Sequence, residues 1–126
     1  MIIRSPLNQA RGHGSGKEGT QHWWIQRLTA IALIPLCLWF IYSLISMTGM
    51  DYNSVIEWLD SPIVCTLLVL LIISIFYHTQ LGIQVVIEDY IESEAMKIGS
   101  IVVLNFIMLF AGLVSTIAVL KVFFGL

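Results

Sequence analysis

The sequence predicts an all-α membrane protein with three transmembrane helices, and two observations carry that prediction. Hydrophobic residues make up 58% of the 126 and charged residues 11%, with a mean hydropathy of +0.90. A water-soluble domain does not have this composition. Three apolar stretches also reach the roughly 20 residues that a helix rising ~1.5 Å per residue needs to cross a bilayer. A chain this short forms one domain and cannot enclose a large ligand alone, so a sizeable site calls for partner subunits. The net charge of −2 gives no basis for a nucleic-acid partner.

The first twenty residues, MIIRSPLNQARGHGSGKEGT, are Gly-rich and polar and lack the continuous apolar core of a secretory signal. They read as a polar N-terminal arm (1–20) on the membrane surface, ahead of an anchor domain at 21–126. The first span is LTAIALIPLCLWFIYSLISM (28–47), with Pro35 as a candidate kink. TGMD followed by DYNSVIEWLD reads as a loop with a short surface helix that sets Trp58 at the interface. The second span is PIVCTLLVLLIISIFYHTQLGIQVVI (62–87) and the third IGSIVVLNFIMLFAGLVSTIAVLKVFF (98–124). Cys37 and Cys65 fall in different spans and form no C-x-x-C pair, so they read as buried thiols.

Orientation follows from the basic residues at the helix ends. Arg4, Arg11, Lys17 and Arg27 precede the first span, while the next loop carries Asp51, Glu57 and Asp60 and no Lys or Arg. This places the N-terminus inside. Lys97, among Glu88, Asp89, Glu92 and Glu94, and Lys121 near the outer end of the third span add nothing to that signal.

Within the second span, FYHTQLGIQVVIEDY (76–90) places a histidine at membrane depth. At about 100° per residue, Ser74, His78, Gly82 and Asp89 share one face, flanked by Val85 and Val86. Two readings fit this spacing. A flat macrocycle ligated by the imidazole would find room beside Ser74 and Gly82, or small residues line a helix contact across which His78 donates a hydrogen bond. One histidine cannot by itself complete a six-coordinate haem.

The second polar concentration is SGKEGTQHWWIQRLTAIAL (15–33), which enters the first span from the inner surface. Trp23 and Trp24 read as an interfacial belt. Arg27 either snorkels to headgroups or lines a pocket, and His22 is either interfacial or part of that pocket. His13 reads as solvated or at a subunit contact. Asn105, at depth in the third span, reads as an interhelical hydrogen-bonding residue. Taken alone, Glu88, Asp89, Glu92 and Glu94 are a solvated loop and Tyr90 an interface anchor.

The segments SG…HWW-Q-R-TA-AL-P and H…LG…V-EDY, each at its expected helix end, resemble those of the small hydrophobic membrane-anchor subunits of succinate dehydrogenase, or respiratory complex II. The resemblance covers about 15–95 by motif and the whole chain by layout, and it is closest to the alphaproteobacterial form. With no Arg- and Ser-rich transit peptide ahead of the motif, it implies a bacterial inner membrane with a cytoplasmic N-terminus.

The resemblance implies a complex in which a flavoprotein oxidises succinate, an iron–sulfur subunit relays electrons, and two membrane-anchor subunits bind ubiquinone and haem b. His78 then matches the axial ligand of the haem iron, with the second ligand supplied by the other membrane subunit. Asp89 and Tyr90 match the Asp-Tyr pair of the quinone site. Arg27 matches a helix-one arginine near the haem propionates and the quinone. These roles suit the residues: a phenol at the inner surface can hydrogen-bond a quinone carbonyl, and a planar guanidinium suits a carboxylate. Such an anchor has no complete active site of its own. A fumarate reductase or other quinone-linked anchor shares these features, whereas a small transporter or assembly subunit would spread polar residues through several helices.

Overall fold

The computed structural model describes residues 15–126, which form four helices in chain order: α1 (Ser15–Ser46), α2 (Tyr52–Leu59), α3 (Pro62–Tyr90) and α4 (Glu94–Phe123). Residues 1–14 of the polar arm, with Arg4, Arg11 and His13, lie outside the described residues. Three segments, Thr20–Ser46, Pro62–Tyr90 and Glu94–Phe123, are long and apolar enough to cross a membrane. Each spans about 40 Å at ~1.5 Å per residue, longer than the ~30 Å hydrocarbon core, so the polar helix ends reach the headgroup layer.

The helices overrun the apolar stretches. α1 starts at Ser15, within the segment read as an arm, and α4 starts at Glu94 rather than 98. α3 continues through Glu88, Asp89 and Tyr90, so these residues sit on a helix end and not in a loop. Unpaired backbone groups are costly near lipid, and the helical hydrogen-bond ladder therefore runs past the last apolar side chain. Pro35 lies inside α1, which is continuous around it.

Local chemistry sets the turns. Gly49 adopts a φ of 85°, which allows the sharp exit from α1. Asp51 then caps α2, accepting from the Ser54 amide at 3.1 Å and from the Ser54 hydroxyl at 2.6 Å. These bonds hold the Asp51 carboxyl below its ordinary value. Trp58 on α2 stacks on Trp39 of α1 with ring centres 5.8 Å apart, tying the surface helix to the first span. Pro62 opens α3 at a position where no amide donor is needed.

α3 packs against both α1 and α4, while α1 and α4 do not approach each other and α2 rests on α3 and α4. The three spans thus form an open layer with α3 at its centre. Among the described residues only Cys65, Leu68, Leu71, Leu81, Leu104 and Ser43 are buried. Cys65 and the half-buried Cys37 are both free thiols. Both faces of the layer present large apolar side chains, such as Ile34, Leu38, Phe106 and Phe110, to lipid or partner chains.

Candidate functional site

His78 is half-buried and meets α1 through Thr29: Thr29 Oγ1 and His78 Nδ1 are 3.1 Å apart. The other ring nitrogen, Nε2, pairs with no polar atom among the described residues. One turn further on, Gly82 presents bare backbone, and a Cβ built there would meet nothing within 4 Å. His78 lies about 18 Å along α3 from that helix's C-terminal end at Tyr90, which is membrane depth for a span of this length.

Between the N-terminal part of α1 and the C-terminal part of α3 lies a cavity of about 450 Å³ lined by His22, Trp23, Gln26, Gly82, Val85 and Glu88, together with Leu81 and Gln84. This volume lies in the range of small-molecule sites. His22, Gln26 and Thr29 follow one another along the same face of α1, since intervals of three and four residues return to one side of a helix. Gln26 Oε1 is buried with no hydrogen-bond partner. An unpaired buried acceptor is costly, and a donor on a molecule filling the cavity would satisfy it.

Arg27 projects from another side of α1, about 160° round the helix from Thr29. It is exposed, and its guanidinium lies 5.2 Å from the centre of the Trp23 ring. Trp23 also stands edge-on to Trp24, with centres 5.0 Å apart. Arg27 thus reaches the cavity wall only through Trp23. Asp89 and Tyr90 end α3 and are exposed, Tyr90 by 82%. Neither lines the cavity, so within this chain His78 and Thr29 are brought together while Arg27, Asp89 and Tyr90 lie outside the cavity lining. Among the described residues no three His, Cys, Asp or Glu side chains converge as a metal cluster.

A second polar feature runs along α3. Gln80 Nε2 donates to Asn105 Oδ1 on α4 at 2.8 Å and to Gln84 Oε1 at 2.8 Å, and Gln84 Nε2 donates to Glu88 Oε1 at 3.0 Å. Asn105 is therefore interhelical, as its position in the sequence suggests, but its partners Gln80 and Gln84 are not singled out by sequence reasoning. The i, i+4, i+8 spacing of Gln80, Gln84 and Glu88 is the signal that reveals the stripe. A further cavity, about 460 Å³, lies between α3 and α4 around Phe76, Gln80, Asn105 and Gly112 and holds none of the candidate site residues.

The family described as succinate dehydrogenase/fumarate reductase transmembrane subunit matches residues 1–114. The chain belongs to this family. A protein named succinate dehydrogenase hydrophobic membrane anchor subunit from Rickettsia bellii is 39% identical over 95 residues, 75% of this chain and 76% of the relative. One of the same name from Rickettsia conorii is 35% identical over 105 residues, 82% of each chain. A succinate dehydrogenase membrane anchor subunit from Reclinomonas americana is 31% identical over 94 residues, 72% of this chain and 78% of the relative. As a succinate dehydrogenase/fumarate reductase transmembrane subunit, the chain has the multi-pass helical architecture that an anchor requires, and its open layer leaves wide surfaces for other subunits.

Proposed function

We propose that the chain is the membrane anchor of a succinate dehydrogenase in a bacterial inner membrane, N-terminus cytoplasmic, paired there with a second membrane subunit and with the flavoprotein and iron–sulfur subunits. It contributes one axial ligand, His78, to a haem b shared with the other membrane subunit. With Arg27, Asp89 and Tyr90 it contributes to the site where ubiquinone is reduced. The observation that carries the ligand reading is the state of the His78 ring: one nitrogen is engaged by Thr29, the other has no partner among the described residues, and bare backbone lies one turn away at Gly82. A flat group can approach such a face closely, and a single histidine suffices when the sixth ligand comes from a partner. When bound, haem supplies a one-electron carrier between the two membrane subunits.

The chain's own residues bind and orient. Tyr90, at the inner end of α3, offers its hydroxyl to a quinone carbonyl, and the neighbouring Asp89 carboxylate is within reach of water and can pass protons toward it. Arg27, on α1 two residues before Thr29 and so nearer the level of His78 than of Tyr90, supplies a fixed positive charge for a propionate or for the quinone head group. The exposure of all three fits a site completed by the other subunits.

The test is a reduced-minus-oxidised spectrum of the purified complex carrying His78→Leu. The expected result is loss or a clear change of the b-type bands with all four subunits still present. An unchanged spectrum in the assembled complex overturns the ligand assignment.

A further inference from the structure

The Thr29 hydroxyl has three neighbours within hydrogen-bonding distance: the Ile25 carbonyl at 2.8 Å, the Gln26 carbonyl at 3.0 Å and His78 Nδ1 at 3.1 Å. A hydroxyl has one hydrogen and two acceptor lone pairs. Both carbonyls can only accept. If the hydrogen pointed at Nδ1, the hydroxyl oxygen would face two carbonyl oxygens across 2.8 and 3.0 Å with no proton between them. If it points back to the α1 carbonyls, as a threonine hydroxyl does on a helix, a lone pair is presented to the imidazole. Nδ1 must then be the donor.

We infer that Thr29 holds His78 as the Nδ1–H tautomer and thereby leaves Nε2 as the metal-binding nitrogen. The network, not an observed hydrogen, fixes this assignment. In neutral imidazole a proton on Nδ1 places the free lone pair on Nε2, the nitrogen without a partner among the described residues. The bond also fixes the plane of the ring and makes Nε2 a stronger donor to a metal, as an acceptor on the far nitrogen of a ligating histidine generally does. Thr29 is thus a positioning residue acting through His78. The inference rests on the ligation reading above.

The experiment compares Thr29→Val, Thr29→Ser and His78→Leu in the whole purified complex, reading haem content, the haem midpoint potential and the low-spin electron paramagnetic resonance spectrum. Valine keeps the β-branched shape and removes the acceptor. Thr29→Val is expected to weaken haem retention by about 10- to 100-fold, the usual effect of losing such a partner. It should also raise the midpoint potential, because a less basic imidazole stabilises ferric iron less, and it should shift the resonance g-values as the ring is freed. Thr29→Ser, which restores a hydroxyl, is expected to return all three towards wild type. If His78→Leu loses haem while Thr29→Val keeps wild-type content, potential and g-values, the role of Thr29 is overturned and the ligation reading stands. If His78→Leu keeps its b-type spectrum, the ligation reading falls and the tautomer assignment loses its function with it.

Discussion

Arg27 is held over the ring of Trp23, 5.2 Å from its centre, and Trp23 forms a wall of the cavity between α1 and α3. A charge that would otherwise snorkel freely is therefore tethered beside the space where His22, Gln26 and Glu88 meet. A cation–π contact of this kind contributes about 0.5–1 kcal/mol when exposed and ~2 kcal/mol when desolvated.

Arg27→Leu is expected to lower haem retention or quinone affinity while membrane topology stays intact. Arg27→Lys, which keeps charge but loses the planar fork, should fall between the two. Haem titration, quinone kinetics and cysteine-accessibility mapping of the helix ends check this. Normal haem and quinone binding together with shifted topology would identify Arg27 as a headgroup anchor only.

Tyr90→Phe keeps the ring and removes the hydroxyl proposed to bond the quinone. An unsatisfied partner in a desolvated pocket costs about 1–3 kcal/mol, and each ~1.4 kcal/mol is a factor of ten in rate. Quinone-dependent turnover should fall by roughly one to two orders of magnitude, whereas succinate oxidation by an artificial acceptor that takes electrons upstream persists. Equal loss of both activities, or loss of neither, would make Tyr90 a structural anchor.

The Gln80–Asn105 bond is a polar link between α3 and α4. Interhelical bonds of this type in membranes average ~0.6 kcal/mol and reach ~1.7 kcal/mol. A double-mutant cycle with Gln80→Leu and Asn105→Leu, read from unfolding of the complex in detergent, should return a coupling in that range. A coupling of zero would show that the contact is incidental to packing.

At the opposite surface, the two hydrogen bonds from Ser54 lower the Asp51 carboxyl below its ordinary 3.8. A depressed acid stabilises the fold above its unfolded value, and the contribution fades as pH falls through the folded value. Hydrogen exchange should therefore show the first turn of α2 protected at neutral pH and fraying in strong acid, beginning below about pH 4. Asp51→Asn, which retains an acceptor without a titrating group, should flatten that dependence; an unchanged pH profile would rule out the cap as its source.

Much of this arrangement is legible in the residues themselves. Uninterrupted apolar length marks all three spans, and Trp58 marks the surface helix because an aromatic between acidic turns has few other places to go. His78 stands out because an ionisable side chain at membrane depth is rare. Thr29 does not, because a threonine in an apolar helix usually bonds its own backbone, and only the third dimension shows it also facing His78 across 49 positions. Gln80 and Gln84 are hidden for the opposite reason: they lie beside the more conspicuous histidine, and their partner Asn105 is on another helix. The direction of Arg27 is equally hidden, since an offset of only two positions from Thr29 turns it to the far side of α1.

Because α1 and α4 never meet, the order in which the helices leave the ribosome is also the order in which they find neighbours. The first helix enters the bilayer with Gln26 and Thr29 facing nothing from its own chain; Trp58 of α2 reaches Trp39 near its far end first, and the Thr29 end stays without a neighbour until the stretch around His78 has been translated. α4 then docks on the opposite flank without disturbing that seam. The heel of α1 is thus open for capture by another subunit during synthesis, and assembly of the anchor can begin before its last helix exists.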